Sequence, residues 1–198
     1  MEINRTYFTH PTSFIDKLSV INQGSSATDK LKIIHDEIKG HMPFIERIAV
    51  IIYEEERDLL KTFIHSDDNR DKILQFYQSK LSDSESLSEI AHSRIPRLVN
   101  DQGIFERNNK KHSRFVAKRN YGASYTTPFY NDGRFTGFIF MNSRDKNVFN
   151  EISFDALSPF VLLIRQIVDK EIDRLNTLHG SVTSALNHDY ETNEIIVL

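Results

Sequence analysis

The feature that most constrains the fold is a pair of aromatic, β-rich runs on either side of Asn131–Gly133. A two-residue turn between antiparallel strands needs positive φ angles. Glycine adopts these angles freely, and asparagine and aspartate tolerate them better than other residues do. The pattern therefore predicts a β-hairpin with strands at about 123–130 and 134–142, and with it an antiparallel sheet.

A second strand pair is predicted upstream. The run from Arg47 to Glu54 is almost continuously apolar and rich in β-branched residues, which is typical of a buried central strand. A charged turn separates it from a partner strand at 59–66. A strand or irregular segment near 76–81 and a short strand at 94–101 bring the sheet to about five to six strands. Pro96 restricts the latter to an edge, because proline has no N–H to donate.

Helical patterns surround these strands. Apolar spacing predicts helices at 12–22, at 28–39 with Gly40 as the stop, near 84–91, and at 108–119 with Gly122 as the stop. Helices beside hairpin-joined strands indicate an α+β fold, with an antiparallel sheet flanked by helices.

The sequence from about 150 to 187 predicts one long helix. Ten positions between Phe154 and Ala185 follow a 3-4 spacing, and nine of them are apolar, as in a heptad seam. A second apolar stripe accompanies its first half. A helix with two apolar faces must bury both, so we expect one face on its own domain and the other on a second copy. The predicted homodimer interface consists of Phe154, Leu157, Val161, Ile164, Val168, Leu175, Leu178 and Val182. Glu171 lies in the same seam, where a dimer would bring like charges together.

The hairpin and the first strand resemble those of the GAF domain family. In the hairpin, the resemblance depends on Tyr121–Ser124, on Thr127–Phe129 and on Gly133–Phe140. Outside the hairpin, it depends on the strand at 48–53 and on Val148-Phe149 before the last helix. The resemblance covers roughly residues 27–174. It implies a GAF-like sensor domain over 27–150 after a helical segment over 1–26, followed by a helical signalling linker over 151–190 and a tail over 191–198.

The tail carries a second resemblance. Residues 188–194 look like the opening of an HD-GYP cyclic-di-nucleotide phosphodiesterase domain, with Asn193 where glycine is usual and Ile195 where a metal-binding histidine is usual. The resemblance implies a sensory domain that precedes such an output domain and acts in cyclic-di-GMP signalling.

Composition and motifs exclude several kinds of site. The chain has no cysteine, which excludes disulfides, thiolate metal sites and a cysteine-linked bilin. We find no paired acid–base motif, no glycine-rich phosphate loop and no histidine pair at metal-ligand spacing. The sequence predicts neither catalytic nor metal-binding residues, and it identifies no particular cofactor.

Charge and hydropathy bear on partners. The net charge of −3 gives no electrostatic reason to expect nucleic-acid binding. No apolar stretch approaches the ~20 residues of a membrane span, and the N-terminus lacks the layout of a signal peptide. We therefore expect a cytoplasmic protein without nucleic-acid or membrane partners.

Strand alternation suggests where a ligand would bind. In the 123–130 strand it places Tyr125, Thr127 and Phe129 on a core face and the small polar residues on the other. The second face is predicted to line a pocket roofed by residues 84–119. The predicted ligand-binding residues are Arg94, Arg97, Asn100, Tyr121, Ser124, Thr126 and Tyr130.

Two functions fit this sequence, and a third is less compatible with it. The first is a non-catalytic sensor that binds a small ligand and signals through its C-terminal helix. The second is a ligand-free dimerisation module. The third, a small-molecule reductase on this fold, is disfavoured by the missing cysteines and acid–base groups.

Overall fold

The computed structural model describes residues 26–68, 78–101 and 121–193, with side chains in the last helix described from 152 to 179. Within these ranges, six strands form one antiparallel sheet in the order β3-β2-β1-β6-β5-β4. The helices and strands in chain order are α1 (Ala27–His41), β1 (Arg47–Glu54), β2 (Leu59–Asp67), β3 (Gln78–Lys80), α2 (Glu85–Ser93), β4 (Arg97–Val99), β5 (Ala123–Asn131), β6 (Arg134–Ser143) and α3 (Glu151–Asn193). The predicted α+β class, the strand number and the central position of β1 are confirmed. The predicted helices at 12–22 and 108–119 lie outside the described residues.

The β5–β6 hairpin has the turn that its sequence predicts. Asp132 and Gly133 both have positive φ angles, of 47° and 77°, and Asn131 pairs directly with Arg134. The β4 strand begins immediately after Pro96 and lies at one edge of the sheet, as expected for a residue that cannot donate a ladder hydrogen bond.

Gly137 of β6 permits a close approach between two neighbouring strands. A Cβ atom placed there would lie 1.9 Å from the carbonyl oxygen of Ile51 on β1. The two central strands therefore pair at this point only because residue 137 has no side chain.

Helices α1 and α3 pack on one face of the sheet and enclose the larger hydrophobic core. Alternate residues of the central strands point into it, among them Ile48 and Val50 of β1 and Tyr125 and Phe129 of β5. Helix α1 begins at a capping box in which Ser26 and Asp29 bond each other's backbone N–H, and it continues through Gly40 to His41. Gly40 is thus not the predicted stop. The Met42 N–H bonds the Ile38 carbonyl and closes the last turn without a left-handed glycine.

A buried histidine ties α1 to β2. The Nε2–H of His35 donates to the Ile45 carbonyl at 3.0 Å, and the Ser66 hydroxyl donates to Nδ1 at 2.8 Å. Burial lowers the pKa of His35 below its ordinary value, so this side chain acts as a satisfied core residue in its neutral form.

Helix α2 packs on the opposite face, which we call the α2 face. Leu87 and Ile90 contact Ile51, Leu60 and Phe138 there and form a second, smaller core. The domain is therefore built as three layers, with the sheet between α2 and the α1–α3 pair.

The first half of α3 belongs to the domain core, which corrects the predicted dimer interface. Leu157, Ile164 and Val168 are fully buried, while Phe154 and Val161 are partly buried against the same core. The second stripe packs on the same core, since Phe160 and Ile167 are buried there and Leu163 is partly buried. The five predicted interface residues therefore pack within the protein's own domain. The first half of α3 shares one hydrophobic core with α1 and the sheet.

The same stripe becomes exposed farther along α3. Leu175 is 44% exposed and Leu178 is 49% exposed, while Val182 lies beyond the described side chains. The helix also runs to Asn193 rather than ending near residue 187, since no proline follows Pro159. The first half of the predicted seam is thus packed on the domain core, whereas Leu175 and Leu178, farther along the same stripe, are exposed.

Candidate functional site

A row of mostly polar side chains crosses the sheet on the α2 face. Directly paired residues of adjacent strands point to the same face, so strand register places them side by side. In the order of the strands across the sheet, the row consists of Asp67 on β2, Arg47 on β1, Asn142 on β6, Ser124 on β5 and Val99 on β4. Residue 47 is the first of β1, so the row lies at one end of the sheet.

Arg47 is the centre of this row. Its guanidinium is buried, donates from Nη1 to Asn142 Oδ1 at 2.9 Å, and lies 3.8 Å from Asp67 Oδ2 through Nε. The Tyr121 hydroxyl donates to the same Asp67 oxygen at 3.2 Å. Four separate segments of the chain therefore meet in one buried, charged network.

A second row lies two residues farther along the strands. It consists of His65, Ala49, Phe140, Thr126 and Arg97. Arg97 donates to the Ser86 carbonyl of α2 at 3.4 Å, which confirms that this row is on the α2 face. Burial lowers the pKa of the Arg97 guanidinium, and the nearby Glu89 carboxylate opposes that shift. We call the polar members of both rows the polar floor: Arg47, His65, Asp67, Arg97, Ser124, Thr126 and Asn142.

Two hydroxyls of the polar floor have unused hydrogen-bonding capacity. Ser124 is 6% exposed and Thr126 is 3% exposed, so both are buried. Neither side chain makes a hydrogen bond within the described part of the chain, although other members of the floor are bonded. Polar groups on buried residues are normally hydrogen-bonded to protein, water or a ligand, because leaving one unpaired costs free energy. These two groups are therefore the strongest local sign of a binding site.

The structure divides the predicted ligand-binding residues among three places. Arg97, Ser124 and Thr126 lie in the polar floor, and Tyr121 bonds it. Arg94 and Tyr130 lie instead at the hairpin end of the sheet. There the Arg94 guanidinium stacks 4.6 Å from the Tyr130 ring centroid, and the Tyr130 hydroxyl donates to the Ala91 carbonyl at 2.5 Å. These two side chains hold the C-terminus of α2 against the hairpin.

Asn100 is engaged with backbone rather than facing the polar floor. Its Nδ2 donates to the Phe149 carbonyl at 2.8 Å, and its Oδ1 accepts from the Phe149 N–H at 3.0 Å. Both ends of its amide bond one residue, so the structure does not bring Asn100 to the polar floor, and its ligand-binding role stays a prediction.

The sequence prediction missed Arg47, Asp67 and Asn142. The available signal was alternation within β1, where Ile48 and Val50 face the core and residue 47 must face the other side. Strand pairing was also needed, since Arg47 and Asn142 are 95 positions apart.

Other kinds of site are not found among the described residues. In the ranges 26–68, 78–101 and 121–193, no three histidine or carboxylate side chains are grouped to hold a metal ion. A separate test for length and apolarity finds no helix in the described part of the chain that could cross a bilayer.

Comparison with solved structures identifies the fold. The GAF domain of a phosphoenolpyruvate-protein phosphotransferase from Coxiella burnetii matches with a TM-score of 0.61 at 12% identity, over 80% of this chain and 92% of that one. The phycocyanobilin-bound GAF domain of a cyanobacterial phytochrome matches with a TM-score of 0.58 at 12% identity, over 84% and 93%. A type II free methionine-R-sulfoxide reductase from Thermoplasma acidophilum matches with a TM-score of 0.53 at 16% identity, over 73% and 92%.

These likenesses show a GAF-like fold and leave the function open, since sensors and an enzyme share it. No family model matches this sequence, and no curated protein matches it.

Proposed function

We propose that this chain is a regulatory sensor domain that binds a small ligand on the polar floor and signals through α3. The observation that carries this proposal is that Ser124 and Thr126, two buried residues beside Arg47 and Arg97, have hydroxyls that make no hydrogen bond within the described part of the chain. A bound molecule on the α2 face would supply their missing partners. The phycocyanobilin-bound domain of similar fold supports a ligand-binding role in general and says nothing about the ligand's identity here.

The chemistry of the polar floor restricts the ligand. Ser124 and Thr126 are two residues apart on one strand, so their side chains are about 7 Å apart along it. Arg47 and Arg97 contribute two positive charges and Asp67 one negative charge, while Phe140 in the second row offers an aromatic surface. A small molecule with an acidic or strongly polar group and a flat apolar part fits this combination.

The first prediction concerns the protein without ligand. Thr126→Val is expected to raise the free energy of unfolding by up to about 1 kcal/mol, because a hydroxyl without a protein partner on a buried residue is replaced by a methyl group of similar volume. Thr136→Val is the matched control on β6, since the Thr136 hydroxyl bonds the Arg134 carbonyl at the exposed hairpin. Urea unfolding measures both. A Thr126→Val protein less stable than wild type would show that its hydroxyl is already satisfied.

Ligand binding itself is tested with a panel of carboxylates, phosphorylated metabolites and nucleotides. A true ligand at 100 times its dissociation constant should stabilise the wild type by about 2.7 kcal/mol. The Ser124→Ala/Thr126→Val double variant should lose most of that increase, whereas Thr136→Val should retain it. Equal stabilisation of all three proteins would place the binding site elsewhere.

We also propose that the protein is a homodimer through the exposed continuation of α3. Leu175 and Leu178 continue the stripe that Leu157, Ile164 and Val168 bury in the domain core. Glu171 pairs with Arg174 of its own helix at 2.6 Å, and this contact lowers its pKa, so the carboxylate stays charged beside the stripe. An amphipathic helix that leaves its own domain needs another surface for its apolar residues, and a second copy presents a matching stripe.

The dimer is tested by Leu175→Asp/Leu178→Asp. We expect the dissociation constant to rise at least about 100-fold, because four carboxylates would meet at the interface. Analytical ultracentrifugation over a concentration series measures this. The control is Ile152→Asp, an exposed residue at the other end of α3. A monomeric wild type, or an unchanged constant in the double variant, would contradict the proposal.

The alternative function, a ligand-free dimerisation module, predicts a dimer without any ligand response. The finer proposal of an HD-GYP output in cyclic-di-nucleotide signalling depends only on the resemblance of residues 188–194. It is tested by assaying phosphodiesterase activity in a protein that carries this chain. We further propose that the chain is non-catalytic. Turnover of free methionine-R-sulfoxide with a thiol reductant would contradict this.

A further inference from the structure

Asn100 directly follows β4 and connects the end of that strand to the segment before α3. Its side-chain amide makes two hydrogen bonds with the backbone of Phe149, of 2.8 and 3.0 Å, in the manner of a strand pair. Its own carbonyl accepts from the Asn147 N–H at 2.9 Å. We call these three bonds the Asn100 clamp. They fix the segment before α3 to the end of β4.

Phe149, the residue that Asn100 bonds, lies just before the first turn of α3. Phe149 is buried and its ring packs edge-on against Phe44 at 5.5 Å. The next residue, Asn150, and Ser153 bond each other's backbone N–H and cap the first turn of α3. A displacement of Phe149 would therefore carry the first turn of the helix with it.

Asn100 itself lies next to the polar floor in the sheet. Asn100 follows Val99, which pairs directly with Ser124. The β4 strand has only three residue pairs, all with β5, and lies at the sheet edge. It is therefore held by fewer contacts than the central strands, and a change at Ser124 meets little resistance there.

We propose that Asn100 is a positioning residue that couples the polar floor to α3, an inference that rests on the proposed function. A ligand at Ser124 shifts β4, and the Asn100 amide transfers the shift to Phe149. Helix α3 is continuous, so the change reaches Leu178 over about 40 Å of helix. The ligand must bind one position of β4 more tightly than the other for this coupling to act.

The test uses the protein without ligand. Ser124→Val enlarges the side chain at the polar floor and mimics occupancy by pressing on Val99. Hydrogen exchange is measured for the amides of residues 154–168 in the wild type, Ser124→Val, Asn100→Ala and the double variant. We expect Ser124→Val to change exchange rates about threefold or more in the Asn100 background and to have little effect in the Asn100→Ala background.

Two further variants separate coupling from a general loss of structure. Lys146→Ala removes the exposed ion pair with Asp101 beside the clamp and should preserve the full response. Asn100→Asp keeps the acceptor for the Phe149 N–H but not the donor to its carbonyl, so it should give an intermediate response. It also replaces Asn100→Ala if that protein does not fold.

Two results would overturn the inference. One is an equal response to Ser124→Val with and without the Asn100 amide, and the other is no response in the Asn100 background. Because no ligand is used, either result leaves the ligand measurements on the Ser124→Ala/Thr126→Val double variant unaffected. A missing ligand response would likewise leave the exchange measurement interpretable.

Discussion

Replacing Gly137 by alanine is expected to destabilise the protein by about 3 kcal/mol, the largest effect predicted here for adding one methyl group. The added Cβ would lie 1.9 Å from the Ile51 carbonyl oxygen, a contact with backbone rather than with a side chain that could rotate away. The two central strands would have to separate locally, which would break hydrogen bonds in the middle of the sheet. Urea unfolding followed by circular dichroism measures the loss.

Gly40 provides the matched control. It lies within α1, and a Cβ there would meet no atom within 4 Å. Gly40→Ala is therefore expected to leave stability unchanged or to raise it by up to about 1 kcal/mol, because alanine is the better helix former. A Gly137→Ala protein that unfolds at the wild-type urea concentration would mean that β1 and β6 do not approach this closely.

Ile164→Ala is expected to cost about 3 to 4 kcal/mol, because it removes a fully buried side chain of α3 from the main core. Leu162→Ala, two positions away on the same helix, should change stability by less than about 0.5 kcal/mol, since Leu162 is 59% exposed. Denaturant unfolding at several protein concentrations measures both. The cost of Ile164→Ala should not depend on concentration, since Ile164 packs within its own domain.

This comparison distinguishes a core helix from a dimer seam. If Ile164 contacted a second copy, as its heptad position suggests, Ile164→Ala would weaken association and its effect would shrink on dilution. Such a concentration dependence would restore the interface that the sequence predicted over 154–168.

The sequence alone predicted most of the fold for local reasons. The positive φ angles at Asp132 and Gly133, the edge position after Pro96 and the apolar run of β1 all follow from the backbone preferences of the residues themselves. Helix α1 was predicted within two residues at each end by its apolar spacing. The candidate site was predicted only in part: sequence reasoning identified Ser124, Thr126 and Arg97, but it did not identify Arg47, Asp67 and Asn142, which strand pairing brings beside them.

Tertiary structure decided the rest. Periodicity shows that a helix has an apolar stripe, but it cannot show what covers that stripe, and in α3 the cover changes along its length from the domain core to open surface. The polar floor likewise depends on strand register, which places Arg47 beside Asn142 across 95 residues. Local sterics are set by each residue and its immediate neighbours, so the sequence determined turns, strands and helices. Contacts between distant segments depend on how those elements pack together, so only the folded chain determined the candidate site and the surface that α3 leaves exposed.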